Sequence, residues 1–380
     1  MIGFVGLAVL VVLLIHLYLW KRLVRDPLRK GIARRVGGVV AVVLAVLVPA
    51  TLIGVRGGHV KWLAWPGYLW LALMFYLLVV LLLLEIPRLV ASLALRRRTA
   101  EPATDAPDPD RRLLMARGAA IFAGLTAAGV TGYGVKTALG KPRVARMQVP
   151  LAKLPRAMDG TRLAVVSDIH LGPLTGIGHT ERIVEVINSV NADIVCVVGD
   201  LVDGSVAELG RFAAPLAGIR SRRGAYFVTG NHEYYSGYRE WIDEVARLNV
   251  RPLRNERLEL AGLDLAGVND LGGTDEGDAP DFARALGDRD PARPVVLMAH
   301  QPLAARDAAP YGVDLQVSGH THGGQMAPFN LLVKLQQPVV SGFGEVDGVP
   351  VYVTNGAGFW GPPVRVGAPP QVSVLELRTR

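Results

Sequence analysis

Three long apolar runs near the start of this 380-residue chain constrain its fold more than any other feature. They cover residues 2–20, 36–55 and 62–86, and a single histidine, His16, interrupts the first run. A helix needs roughly 20 apolar residues to cross the hydrocarbon of a bilayer, where backbone polar groups find no water. A soluble protein could bury three such runs only inside a very large apolar core. We therefore predict three transmembrane helices here.

A fourth run, residues 118–135, is a weaker candidate because it is rich in Ala and Gly and carries two Thr. We predict that it also spans the membrane, so that residues 1–140 form an N-terminal bundle of about four transmembrane helices. The Pro-, Ala- and Asp-rich stretch at 99–110 is typical of a flexible linker.

The loops between the runs predict how the chain is oriented. Residues 21–35 hold seven basic residues against one acid, and the segment 88–117 holds seven arginines. Such loops stay on the cytoplasmic side. With four spans, the C-terminal region lies outside the cytoplasm, and with three spans it lies inside. We predict a multi-pass protein of the cell (inner) membrane with an extracytoplasmic C-terminal domain.

The formal net charge of +8 is concentrated in these short basic loops beside apolar segments. No basic face interleaved with aromatic residues supports nucleic-acid binding. The lone cysteine, Cys196, lies in an apolar run and is predicted to be a buried core residue, which excludes an internal disulfide.

From about residue 148 to residue 380, short apolar runs alternate with segments of helical spacing. This alternation is typical of βαβ units with a largely parallel sheet, so the domain is predicted to belong to the α/β class. The predicted strands are 162–166, 193–198, 224–228, 294–298 and 314–317, and the predicted helices are 181–190, 206–220 and 238–248.

A polar cluster follows the end of each predicted strand, and these clusters contain five of the eight histidines of the chain. Ligands of α/β sheets bind at the carboxyl ends of the strands. The clusters are Ser167–His170, Gly199–Asp203, Gly230–Glu233, Ala299–Pro302 and Ser318–Gln325. We predict that they converge on one site.

The donor types in these clusters favour a metal centre. They are imidazoles, carboxylates and one amide without any thiolate, a set that suits Zn, Mn or Fe. Seven donors are too many for one tetrahedral ion but suit two divalent ions, roughly 3.5–4 Å apart, that share a carboxylate. The donors are Asp168, His170, Asp200, Asn231, His300, His320 and His322. His232 remains beside them as a candidate general acid.

Asp-x-His, Gly-Asp-x-x-Asp, Gly-Asn-His-Glu, an isolated His after a strand, and Gly-His-Thr-His occur here in that order. In this respect the chain from about residue 162 onward resembles the calcineurin-like metallophosphoesterases. The form Ser-Gly-His-Thr-His-Gly-Gly-Gln, with Ala-His-Gln-Pro upstream, is similar to the YkuE- and YaeI-like branch of membrane-associated phosphodiesterases and to the transmembrane metallophosphoesterases.

The resemblance implies a four-layer α/β/β/α sandwich and a role for each donor. Asp168, His170 and His322 would hold the first ion, Asp200 would bridge, and Asn231, His300 and His320 would hold the second. His232 would act as the general acid. Asp203 would orient a ligand, although a turn or helix-cap aspartate is an equally good interpretation. Glu233 is expected to support its loop.

The predicted function is hydrolysis of a phosphate ester, a diester rather than a monoester, by water that two metal ions activate. Membrane anchoring favours a lipid-linked substrate and contact with membrane lipids, and no signal indicates an oligomeric state. Two alternatives stay open: a transporter with a regulatory metal domain, and a scaffold whose metal-binding module is not catalytic.

Several other residues carry weaker expectations. We expect His179 at the surface and His16 neutral and packed within its span. Tyr234 and Tyr235 fit either the core or the substrate pocket. Phe359 and Trp360 are expected to cap the core, and contact with lipid is the alternative.

Overall fold

The computed structural model describes residues 2–56, 60–98 and 109–379 of the chain. The chain divides into two compact units, Met1–Tyr133 and Gly134–Arg380. Most of the predicted linker, residues 99–108, lies outside the described residues, whereas Pro109 and Asp110 are helical.

The first unit is helical. Its helices are α1, Ile2–Trp20; α2, Ile32–Arg56; α3, Ala64–Arg98; and most of α4, Pro109–Ala138. Among the described residues, four helical segments are long and apolar enough to cross a membrane: Gly6–Arg25, Ile32–Val55, Lys61–Val90 and Asp110–Ala138. The prediction of four apolar helices is confirmed. Helix α1 coincides with the predicted run 2–20, and α2, α3 and α4 extend beyond the predicted runs.

Several polar side chains of this unit pair with one another. The Trp70 indole donates to His16 Nε2 at 3.1 Å, so the other ring nitrogen, Nδ1, carries the proton and donates to the Val12 carbonyl at 2.8 Å. Glu85 accepts a hydrogen bond from Tyr18 at 3.2 Å and lies 2.9 Å from the Arg22 guanidinium. These contacts join the first helical segment to α3, as expected for a neutral, packed His16.

The described residues of the second unit form two six-stranded sheets. The first sheet has the order β1-β12-β2-β3-β4-β5, and the second has the order β10-β11-β9-β8-β7-β6. In chain order, the strands are β1 Arg143–Leu151, β2 Arg162–Val166, β3 Ile194–Val198, β4 Ala225–Val228, β5 Arg251–Pro252, β6 Glu256–Leu260, β7 Leu263–Gly267, β8 Val295–Met298, β9 Leu315–Ser318, β10 Gly342–Val346, β11 Val349–Val353 and β12 Gln371–Thr379.

Parallel pairing dominates the centre of both sheets. Strands β2 to β5 pair in parallel in the first sheet, and β7, β8, β9 and β11 do so in the second. Strand β12 runs antiparallel to β2, and hairpins place β6 and β10 at the edges of the second sheet. Parallel strands end together, which brings the loops at their carboxyl ends to one edge.

Helices cover the outer faces of the two sheets. The helices described after α4 are α5 Ile177–Ser189, α6 Val206–Ala213, α7 Asn231–Tyr235, α8 Tyr238–Arg247, α9 Phe282–Leu286, α10 Ala305–Ala308 and α11 Asn330–Val333. Side chains of α5, α6 and α8 form one core with the first sheet, and those of α9 and α10 form another with the second. A third core, which contains Cys196, fills the space between the sheets.

This layering explains the continuous apolar strands. Leu163 and Val165 of β2 face the core between the sheets, whereas Ala164 and Val166 face the helices. Both faces of the strand are therefore buried, and no position can be polar without a partner. The four-layer α/β/β/α arrangement is confirmed.

Two details differ from expectation. Strand β1 begins at Arg143, five residues before the predicted start of the domain, and pairs with β12 along its whole length. His179 is not at the surface. It is buried on α5, and its Nε2 lies 3.3 Å from the Ile169 carbonyl.

Candidate metal centre

The predicted donors lie at the carboxyl ends of five strands in the second unit. Strands β2, β3 and β4 of the first sheet lead into the turns that carry Asp168 and His170, Asp200 and Asp203, and Asn231 and His232. Strands β8 and β9 of the second sheet lead into His300 and into the turn with His320 and His322. Both sheets therefore contribute side chains to one buried cluster.

Asp168, His170 and His322 form the first potential ligand group, with one atom of each lying within 4.8 Å of the others. The Nε2 atoms of the two histidines are 3.0 Å apart, and His322 Nε2 is 3.3 Å from Asp168 Oδ1. All three residues are buried.

Asp200, His300 and His320 form the second such group. His300 Nε2 lies 3.1 Å from Asp200 Oδ2. Asn231 joins this group because its amide oxygen lies 3.1 Å from His320 Nδ1.

Asp200 also faces the first group. The same carboxylate oxygen, Oδ2, lies 3.8 Å from His170 Nε2, and the other oxygen accepts the His232 backbone N–H at 2.9 Å. The position of Asp200 is therefore suited to a carboxylate shared by two cations.

The hydrogen bonds of the ligand rings show that a divalent cation fits. His300 Nδ1 donates to the Val198 carbonyl at 2.8 Å, so the other ring nitrogen, Nε2, faces Asp200 Oδ2 at 3.1 Å. This contact is favourable only when a positive charge, either a proton on His300 or a cation, accompanies it. Burial lowers the pKa of His300, but the Asp200 charge raises it well above its ordinary value. A divalent cation bound here would replace that proton. Imidazole, carboxylate and amide donors suit Zn, Mn or Fe.

The first group is equally compact. The ring planes of His170 and His322 are 26° apart, and their Nε2 atoms face each other at 3.0 Å. One of these nitrogens can donate a hydrogen bond to the other when no ion is bound. Because His322 Nε2 also lies 3.3 Å from Asp168 Oδ1, the donor atoms of the three residues converge in a way that would suit one ion.

Asp203 holds two of the rings in place. Its Oδ1 accepts from His170 Nδ1 at 3.1 Å and from His232 Nδ1 at 2.6 Å. Burial raises the pKa of Asp203, but the His170 charge and these hydrogen bonds outweigh that effect and hold the pKa below its ordinary value. The residue at the N-cap of α6 is Ser205. The helix-cap interpretation of Asp203 is therefore wrong.

The surroundings of His232 favour its protonated form. Burial lowers the pKa of His232, but the Asp200 charge and the hydrogen bond to Asp203 raise it to about 9. Its Nε2 lies 4.0 Å from Asp200 Oδ2 and so faces the ligand cluster. The ring can therefore present an N–H group to a molecule bound there.

Glu233 supports the turn that carries Asp200, as expected. Its carboxylate accepts the backbone N–H groups of Gly230, Asp200 and Leu201 at 2.6, 3.0 and 2.7 Å. Because these bonds join the turns after β3 and β4, they fix Asp200 relative to Asn231.

The backbone of the turns is itself unusual. Non-glycine residues rarely have positive φ, although Asp, Asn and His tolerate it better than others. Such conformations cluster at functional sites. Here φ is 51° at Asp168, 48° at His170, 53° at Asp200, 70° at His320 and 52° at His322.

Sequence reasoning missed Arg365. This fully buried guanidinium donates to the carbonyls of His322 at 2.6 Å, Asn355 at 2.7 Å and Gly358 at 2.6 Å. Burial lowers its pKa to about 10. Arg365 therefore ties the His322 turn to the 355–358 loop. The available signal was an arginine between two valines, Val364 and Val366, in an otherwise apolar segment.

Aromatic residues lie beside His232. The rings of Tyr235 and Trp360 have centroids 5.5 and 5.9 Å from the His232 ring, and both side chains are more than half exposed. Tyr234 and Phe359 are buried. The expectation that Phe359 and Trp360 cap the core is thus right for Phe359 and wrong for Trp360.

Comparison with known proteins supports the resemblance. The sequence model of the family described as calcineurin-like phosphoesterase matches residues 161–324, which contain all the candidate ligands. A Danio rerio protein named transmembrane protein with metallophosphoesterase domain is 32% identical over 390 residues, which cover 96% of this chain and 87% of that protein.

Two further relatives have related names. A Bos taurus protein of the same name is 37% identical over 262 residues, which cover 64% of this chain and 59% of that protein. The uncharacterized metallophosphoesterase YkuE of Bacillus subtilis is 25% identical over 282 residues, which cover 71% of this chain and 97% of that protein.

Proposed function

This chain belongs to the calcineurin-like phosphoesterase family, and on that premise we propose that it is a membrane-anchored hydrolase of phosphate diesters. The main support is Asp200, whose carboxylate lies between two clusters of potential metal ligands while His232 faces the same point. The four apolar helices and the names of the relatives support the membrane anchor.

Seven residues would hold two divalent cations, Zn, Mn or Fe. Asp168, His170 and His322 would bind one ion, Asn231, His300 and His320 would bind the other, and Asp200 would bind both. When bound, the ions supply Lewis acidity that neutralises phosphate charge and lowers the pKa of water.

His232 would serve as the general acid. Asp203 accepts a hydrogen bond from its Nδ1 at 2.6 Å, which favours the ring orientation that directs Nε2–H at the ligand cluster. That N–H would donate its proton to the oxygen that leaves the phosphorus. Asp203 stabilises the charged ring before transfer and keeps it oriented afterwards.

The test is to compare wild type with His232→Gln on two phosphodiesters, one with a 4-nitrophenolate leaving group and one with an alkoxide. An alkoxide needs a proton to leave, whereas nitrophenolate does not. We expect the variant to retain its metals and to lose roughly 10²- to 10⁴-fold activity on the alkyl substrate, and much less on the nitrophenyl one. His179→Gln, a buried histidine outside the ligand groups, is the matched control.

Equal losses on both substrates would refute the general-acid role. A wild-type protein that binds metals stoichiometrically but hydrolyses neither diester nor the matching monoesters would instead favour the scaffold alternative. The transporter alternative has little support, because each of the four candidate spans among the described residues has an 18-residue apolar window with at most two charged residues, too few for a polar path.

A further inference from the structure

A short apolar segment next to the candidate metal centre is exposed. Residues 328–336, called here the 328–336 segment, contain α11. Its side chains Phe329, Leu331, Leu332 and Leu335 are 44%, 60%, 56% and 80% exposed. Adjacent exposed apolar side chains on a folded domain indicate a surface that binds a membrane, a ligand or another protein.

The 328–336 segment is held by the turn that carries two candidate ligands. Gly324 follows His322, and a methyl group at Gly324 would overlap the backbone of Asn330. Beyond the segment, the Val340 carbonyl accepts a hydrogen bond from Thr321 Oγ1 at 2.6 Å. The chain on both sides of the 328–336 segment is therefore fixed to the turn that carries His320 and His322.

Trp360 is fixed to the same turn. The Gln325 side chain donates to the Trp360 carbonyl at 2.9 Å and accepts the Trp360 backbone N–H at 3.0 Å. The indole is 52% exposed and lies beside His232. The exposed Trp360 ring and the exposed 328–336 segment are therefore held by the same turn, the one that carries His320 and His322.

We propose that the 328–336 segment and Trp360 form a lipid-binding surface that brings the metal centre to phosphoesters of amphipathic molecules held in a bilayer. This inference rests on the proposed function and specifies its substrate class. It also assigns the surface to lipid rather than to a second copy of the chain or to another protein.

Composition supports lipid as the occupant. Lys334, the one charged residue between 328 and 341 in the sequence, is exposed among the leucines and suits anionic headgroups. Trp is favoured at the boundary between headgroups and acyl chains, and elements that lie in this boundary combine apolar and basic side chains. The apolar helices of the same chain would keep the domain tethered to a bilayer.

Activity provides the first test. The full-length protein is reconstituted in vesicles of phosphatidylcholine and phosphatidylglycerol in equal parts. Its substrates are 4-nitrophenyl phosphodiesters of ethanol and of hexadecanol, which share a leaving group and differ only in the chain. The triple variant Leu331→Ser, Leu332→Ser, Leu335→Ser should lose about tenfold in kcat/KM on the hexadecyl ester and less than about twofold on the ethyl ester.

The control variant Val144→Ser, Met147→Ser removes two exposed apolar side chains from β1 and should leave both rates unchanged. Equal losses of the triple variant on both esters, or no loss on either, would overturn the lipid assignment. A wild-type protein that is inactive on the ethyl ester would instead refute the proposed function itself.

Labelling tests the surface without using activity. Cys196 is fully buried, so a thiol-reactive fluorophore on the Leu332→Cys variant reports position 332. We expect blue-shifted emission and quenching by nitroxide-labelled lipids in these vesicles, and neither change for the exposed control Ala283→Cys on α9. Emission typical of water, or a disulfide dimer formed through position 332, would contradict lipid contact.

Discussion

At the scale of single residues, the candidate centre depends on groups outside the set of candidate metal ligands. One oxygen of Asp203 accepts hydrogen bonds from a candidate ligand, His170, and from the candidate acid, His232. Arg365 fixes the carbonyl of His322 from the other side. Such outer partners set the orientation of the rings that bind metal.

We therefore expect Asp203→Asn to weaken metal binding and phosphodiester hydrolysis by about 10- to 100-fold each, because the amide orients both rings less strongly. Metal titration and kcat/KM measure the two effects. Asp203→Glu is the control that keeps the charge. An Asp203→Asn variant with wild-type metal affinity would show that the rings are held by other contacts.

The buried His179 is expected to make the free energy of unfolding depend on pH. Burial lowers its pKa from 6.5 to about 4 in the folded protein. Acidification therefore protonates the unfolded chain first, so stability is complete above about pH 6.5 and falls as the pH approaches 4. The loss from this residue is about 3 kcal/mol, or roughly 5–10 °C in the unfolding midpoint.

Thermal unfolding of the full-length protein in detergent with a chelator, between pH 7 and pH 4, measures this loss. His179→Gln keeps an N–H donor for the Ile169 carbonyl but does not titrate, so its midpoint should fall less over the same range. If the midpoint fell equally with pH in the variant and in the wild type, the loss could not be assigned to His179.

At the scale of elements, the turns after β2 and β9 pack directly against each other. The His320 backbone N–H donates to both oxygens of Asp168 at 3.1 Å. A methyl group at Gly319 would overlap Ser167 Oγ and the Asp168 carboxylate. Glycine is therefore needed where a turn from one sheet meets a turn from the other.

Gly319→Ala should displace Asp168 and weaken metal binding by roughly tenfold or more, since overpacking a tight contact costs about 1–3 kcal/mol. Isothermal titration with Zn²⁺ or Mn²⁺ measures the change, and circular dichroism verifies the fold. Gly210→Ala, in the interior of α6, is the matched control and should bind metal normally. An unchanged metal affinity of Gly319→Ala would show that the turns after β2 and β9 can move apart without weakening the metal site.

At the scale of the whole molecule, the number of spans determines the side of the membrane on which the second unit lies. Among the described residues, four helices are apolar and long enough to cross a membrane. The two basic segments at 21–35 and 88–117, which include the ends of adjoining helices, are separated by α2 and most of α3, and this is consistent with both segments lying in the cytoplasm.

We expect an alkaline phosphatase reporter fused after residue 380 to be active and a green fluorescent protein fused there to be dark. Fusions after residue 98, before the fourth helix, should behave in the opposite way. Fluorescence at both positions would mean that α4 does not cross and that the second unit faces the cytoplasm.

Some strands were predictable from the sequence and others were not. Strands β2, β3, β4 and β8 are largely continuous apolar runs because both faces are buried, and β9 is buried as well although it contains Gln316 and Ser318. The predicted starts of these five strands lie within one residue of the observed ones. Edge strands such as β1 and β6 are partly exposed and carry charged residues, so their patterns resemble loops. Helix α6 ends earlier than predicted, and a 3₁₀ turn that contains Pro215 follows it.

The sequence by itself determined the apolar helices, the central strands and the identity of the donors at the strand ends, because these depend on local periodicity and residue chemistry. Only the tertiary structure decided which donors meet, since His170 and His322 are 152 positions apart and converge through the packing of two sheets. It also decided the double contact of Asp203, the burial of Arg365 and the exposure of the 328–336 segment. Burial and convergence depend on the arrangement of distant elements, which no local pattern contains.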